Sequence, residues 1–145
     1  MELLQTVHSY LAYVALAVLF IAVANAILGL VQNRMFTLEK DFRISLFALI
    51  IIHLQLILGL ILYFVSASGF SAISQFGVGG LTPTARLLAL EHPLINIIAI
   101  VFVTVGWTRH KRFMEGDKKF RSVAIFYGLG LLLIMSRIPW AQWFN

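Results

Sequence analysis

Apolar residues run through this chain in four long blocks separated by polar connections. The blocks cover about residues 5–31, 43–65, 86–107 and 120–138, that is Gln5 to Val31, Arg43 to Val65, Arg86 to Trp107 and Phe120 to Ile138. A helix needs ~20 apolar residues to cross a bilayer, and each block is close to that length. None shows the strict polar alternation of a barrel strand, so each predicts a membrane-spanning helix. The longest connection, Ser66 to Ala85, is rich in Gly and Ser and predicts a short interfacial segment around Phe70 to Phe76. Thr82-Pro83 predicts a helix start, because Thr caps free N–H groups and Pro suits the first turn. The opening Met1-Glu2 has no basic region before the apolar run, which is long and lacks a cleavage site, so it reads as a span and not a signal peptide. No internal repeat is visible. The prediction is all-α: an integral membrane up-down-up-down four-helix bundle forming a single transmembrane domain over residues 1–145.

Composition narrows the classes. Of the 145 residues, 61% are hydrophobic and 12% charged. A soluble domain carries roughly 25% charged residues, so a water-soluble globule is excluded, as is disorder. The chain has no Cys, which excludes disulfides, thiolate metal sites, iron–sulfur clusters and thioether-attached haem. No Gly-rich phosphate loop, nucleophile elbow or HExxH sequence occurs.

The net charge of +5 reads as topology. Nine of the 11 Lys and Arg lie in or beside two connections: Arg34, Lys40 and Arg43, then Arg109, Lys111, Arg112, Lys118, Lys119 and Arg121. Short basic loops stay in the cytoplasm, so both termini and the long second loop are expected on the periplasmic side of a bacterial inner membrane. A nucleic-acid surface is the weaker reading. Trp107 at the inner boundary, and Tyr10, Tyr63, Trp140 and Trp143 at the outer one, suit the headgroup zones.

Polar side chains inside spans are expensive and need a reason. Here they are His8, Asn25, His53, Gln55, Glu91, His92, Asn96, Tyr127 and Arg137. His110 falls in the basic inner loop and reads as a solvated surface residue. In the first span, His8, Ala12, Ala15, Leu19, Ala22, Ala26 and Gly29 share one face at helical spacing. Small residues mark a face that packs on protein or leaves room for a flat ligand, so His8 points inward. In the third span, Ala85, Ala89, His92, Asn96, Ala99, Val103 and Gly106 make a similar face, and Pro93 predicts a kink beside His92. His53 lies roughly 15 Å deep at 1.5 Å per residue. Gln55 and Gly59 occupy nearly the opposite face of the same helix, which could meet a second copy or a partner subunit. Tyr127, Gly130, Ile134 and Arg137 form a stripe on the fourth span.

Three intramembrane histidines on separate helices point to a non-covalent b-type haem, whose iron takes two imidazoles from opposite faces. His8 and His92 lie at nearly matched depths, about 5 and 9 Å below the outer boundary, on spans that are diagonal in an up-down bundle. Arg86 and Arg137, the two outer basic residues, could pair with the propionates. Asn96 or Glu91 could orient a ligand imidazole. His53 could instead pair with His92, hold a second haem, or serve as a proton or quinone group. Histidines can also serve only as interhelical hydrogen bonders, and Glu91–Arg137 can be a structural ion pair. Two other classes stand beside the haem reading. One is a non-catalytic membrane anchor using the Gln55/Gly59 face. The other is a proton or small-solute transporter built on Glu91, His92, His53 and Arg137. The spread in depth of the histidines argues against a tetrahedral zinc site.

His8-Ser9-Tyr10 opening the first span, His53 in the second, Glu91-His92-Pro93 in the third and Ser136-Arg137-Ile138-Pro139-Trp140 closing the fourth resemble the small four-span cytochrome b-like inner-membrane proteins of Bacteroidetes. The resemblance covers most of the chain apart from the Gly-rich loop. It implies an inner-membrane, haem-associated protein of a respiratory kind and supplies no electron donor or acceptor; the expected role is electron relay, with a quinone or a redox protein as partner. It supplies no assignment of ligands, so His8, His92 and His53 remain ranked by geometry.

Overall fold

A computed structural model describes residues 1–143; the last two residues of the expected 1–145 domain lie outside the described residues. The chain is an all-α, multi-pass membrane protein with four helical runs long and apolar enough to cross a bilayer. Helix α1 spans Glu2–Val31. Helix α2 (Arg43–Val65) follows directly on a π-turn, Leu38–Phe42. The connecting loop holds the short helix α3 (Phe70–Phe76). Helix α4 (Pro83–Arg86) runs through a second π-turn, Leu87–Glu91, into α5 (His92–His110). Helix α6 is Gly116–Ser136, and a last turn, α7, is Trp140–Trp143.

Local chemistry sets these ends. Asn33 takes a left-handed backbone (φ 49°) after α1. There Arg34 N–H donates to the Gly29 carbonyl and Asn33 N–H to that of Leu30, which satisfies two carbonyls the helix leaves open. The Thr82 hydroxyl accepts from Ala85 N–H at 3.3 Å, with Pro83 in the first helical position. Helix α6 stops at Ser136, short of the expected Ile138, because a residue before proline disfavours helical backbone and Pro139 lies just beyond. The kink expected at Pro93 takes the form of the π-turn immediately before it. The widened turn contains Ala89, the carbonyl that a helical residue 93 would normally engage.

Each span packs on two neighbours: α1 on α2, α2 on α5, α5 on α6 and α6 on α1. Spans α1 and α5 are therefore diagonal, as are α2 and α6. Small residues bring α5 and α6 together. A Cβ on Gly130 would sit 2.5 Å from Val103 Cγ2, and one on Gly106 would sit 2.6 Å from Phe126 Cβ. Tyr127 is fully buried and crosses the diagonal, its hydroxyl donating to the Ser45 carbonyl at 2.9 Å. With no lipid or water able to reach that carbonyl, the bond pins α6 to α2.

The end with the basic connections is closed by a polar knot under the helices. Asp41 is fully buried, and its carboxylate accepts from Asn25 (2.7 Å), Arg34 (2.9 Å), Thr37 N–H (2.8 Å) and the Thr37 hydroxyl (3.0 Å). Arg34 also reaches the Asn25 side-chain oxygen at 2.8 Å and lies over the Phe120 ring. Two sequence expectations need correction here. His110 is not a solvated loop residue: it is the last residue of α5, fully buried against Phe36, Phe42 and Trp107, with Nδ1–H donating to the Trp107 carbonyl at 2.6 Å. Trp107 is not a headgroup-facing belt residue. It is buried because the 38–42 turn folds back and sets Phe42 against its ring at 4.9 Å.

Candidate functional site opposite the basic connections

The opposite half of the bundle encloses a cavity of about 270 Å³, bounded by His8 and Ala12 of α1, Gln55 and Gly59 of α2, and His92 and Asn96 of α5. Ile134 of α6 and Ile138 close its far wall, and Ser66, Ser68 and Gly69 stand at its mouth. The small-residue faces read from the sequence explain the space. Leu19, Ala22, Ala26 and Gly29 of α1 are buried, whereas Ala15, Ala12 and His8 on the same stripe border the void. On α5, Ala99, Val103 and Gly106 are buried and His92 and Asn96 face the cavity.

The two histidines come together across the diagonal. Their ring centroids are 6.5 Å apart and the planes are nearly perpendicular, at 84°. His92 is oriented by main chain: its Nδ1 lies 2.8 Å from the Arg137 carbonyl. A carbonyl only accepts, so the proton sits on Nδ1 and the Nε2 lone pair is left available. The sequence nominated Asn96 or Glu91 for that orienting part. Asn96 instead donates to the His92 carbonyl at 2.6 Å, with its amide nitrogen 3.2 Å from Nδ1. Glu91 faces away, joining Arg86 (3.0 Å) and Arg137 (3.3 Å) in an ion triad. Both arginines are about half exposed, and neither lines the cavity.

Gln55 and Gly59 are corrected from a free partner face to the α1–α2 interface. The Gln55 amide donates to the His8 carbonyl at 2.9 Å and lies 3.2 Å from His8 Nδ1. A Cβ on Gly59 would come within 3.0 Å of His8 Cε1, so the glycine makes the seat for that ring. This face meets α1 and borders the cavity. The Gln55 side-chain oxygen is buried without a hydrogen-bond partner, an arrangement that costs free energy unless something supplies a donor.

His53 does not join the site. It sits on the opposite face of α2, with Nδ1–H donating to the Leu49 carbonyl at 2.7 Å and Nε2 3.4 Å from the Thr104 hydroxyl of α5. The Nδ1 bond lies within α2, the Thr104 hydroxyl gives its proton to the Ile100 carbonyl at 2.8 Å, and His53 does not border the cavity. Among the described residues, no group of three or more His, Cys, Asp or Glu could hold a metal ion. Two imidazoles are too few for a free ion. They could serve as the two protein ligands of an iron whose other four ligands come from a macrocycle.

No protein-family model, curated protein or solved structure matches the chain.

Proposed function

We propose that the chain holds one non-covalent b-type haem between His8 and His92 and carries electrons in the outer half of a bacterial inner membrane. One observation carries the reading: the 6.5 Å between the two ring centroids. Imidazoles bonded through nitrogen at about 2 Å on opposite sides of one metal set their ring centres roughly 6 to 6.5 Å apart. Edge-to-face ring contacts fall in the same range, so the cavity that both rings border supports the metal reading beside the distance.

The remaining residues suit the same chemistry. The Arg137 carbonyl fixes the His92 tautomer that presents Nε2. The Gln55 amide, donating to the His8 carbonyl, holds the start of α1 and the His8 ring beside the cavity. Arg86 and Arg137, held by Glu91 beside His92, are the cations on this side that propionates could engage. When bound, the haem supplies reversible one-electron transfer. The protein's part is to fix both imidazoles, keep the site apolar and set its distance from the membrane surface. The positive charge of the Arg34–Arg43 and Arg109–Arg121 connections supports placing them in the cytoplasm and the haem near the periplasmic face. A quinol or a redox protein docking there is the fitting partner.

The size of the cavity favours one other occupant. At about 270 Å³ it is smaller than a whole macrocycle, which needs the mouth at Ser66–Gly69 to open further. It would hold a single-ring quinone headgroup with the amide of Gln55 beside it. Purification in detergent from haem-replete cells separates the two. The haem reading predicts a sharp Soret band and narrow α and β bands on adding dithionite. A colourless protein would overturn it, and saturable binding of a short-chain quinone by that protein would establish the second.

A further inference from the structure

A second depression lies on the outer side of the α1–α2 pair, apart from the His8–His92 cavity. Val18 and Ile21 of α1 and Phe47 and Ile50 of α2 form its walls, Arg43 stands at one end, and its volume is about 570 Å³. Apart from Arg43 its walls are apolar. Ile21, Phe47 and Ile50 are each about half exposed, which is the disposition of a lipid-facing groove.

Arg43 is the odd member. It opens α2 and is exposed, and among the described residues it has no ion-pair partner. The acid two residues before it is not available, because Asp41 is saturated by Asn25, Arg34 and Thr37. Glu39 and Lys40 carry opposite charges and offset one another. A free guanidinium at the polar end of an apolar trench matches one chemistry, an acyl chain attached to a phosphate. From Arg43 to Ile50 the trench extends about 10 Å along the helix, so it starts at headgroup level and runs into the hydrocarbon.

We propose that this groove binds one anionic phospholipid of the inner leaflet, its phosphate on Arg43 and one acyl chain along Phe47, Ile50, Val18 and Ile21. The site is independent of the haem reading.

The test is native mass spectrometry of the full chain in detergent, with dioleoyl phosphatidylglycerol or dioleoyl phosphatidylcholine added at equal concentration. The wild type is expected to retain one phosphatidylglycerol about fivefold better than phosphatidylcholine, the contribution of one basic side chain near the surface. Arg43→Gln is expected to bring the ratio close to one. Ile50→Trp, which fills the trench at a half-exposed position, is expected to lower retention of both lipids. An unchanged ratio in Arg43→Gln would overturn the headgroup assignment, and undiminished retention in Ile50→Trp would overturn the chain assignment. Displacement of the lipid by an equal concentration of inorganic phosphate would show a simple anion site and overturn the lipid proposal.

Discussion

His92→Ala is expected to abolish the six-coordinate haem spectrum, and His8→Ala to do the same, while His53→Ala leaves it unchanged. The asymmetry follows from where the three rings sit. His8 and His92 border one cavity with centroids 6.5 Å apart, whereas His53 lies outside that cavity with Nδ1–H bound to the Leu49 carbonyl of its own helix. With a haem held as proposed, loss of either imidazole would leave its iron short of one protein ligand, which would change the spin state and not merely shift the bands. Gln55→Leu is a softer change. It removes the side chain that touches the His8 ring and is expected to weaken haem retention by about 10- to 100-fold without displacing the ligand. Circular dichroism of each variant checks that the helices persist. Visible spectra in which His53→Ala loses the low-spin bands and His8→Ala keeps them would move the site to another pair of helices.

The second large effect is on stability. Arg34→Ala is expected to lower the unfolding free energy by about 3 to 5 kcal/mol, read as the midpoint of denaturation by sodium dodecyl sulfate. Asp41 is fully buried, and Arg34 is the cation in contact with its carboxylate. Without the guanidinium a desolvated negative charge remains, held only by Asn25 and Thr37. The double change Arg34→Met with Asp41→Leu removes both charges and is expected to recover most of the loss, because the penalty arises from an unpaired buried ion and not from the absence of a salt bridge. A double variant as unstable as Arg34→Ala would show that the knot acts through its hydrogen bonds and not through charge.

What the sequence discloses and what it hides follow one physical line. The inward faces of the first and third spans are written in small residues, and packing follows them: Ala22, Ala26 and Gly29 are buried on α1, and Ala99 and Gly106 on α5. The same stripes carry His8 and His92 toward each other, so their meeting is legible from helical spacing and an up-down order. The second span is apolar all round and gives no such direction. Its Gln55/Gly59 face and its His53 face look equivalent until tertiary structure shows α1 against the first and Thr104 of α5 beside the second. Asp41 and His110 were hidden for a different reason. Each lies in a charged stretch that reads as solvated, and only the fold-back of residues 31–42 beneath the bundle, begun by the left-handed turn at Asn33, buries both. The orienting contact on His92 comes from a backbone carbonyl, which no side-chain pattern records.

Two imidazoles, one from each of two diagonal helices, are proposed to bind the same iron. Near-infrared magnetic circular dichroism of the oxidised full chain reads the identity of such axial ligands directly. The predicted result is the charge-transfer signature of a ferric iron between two neutral histidines, lost in His8→Ala and in His92→Ala. A histidine–methionine or high-spin signature, or a protein that carries no haem at all, would contradict it.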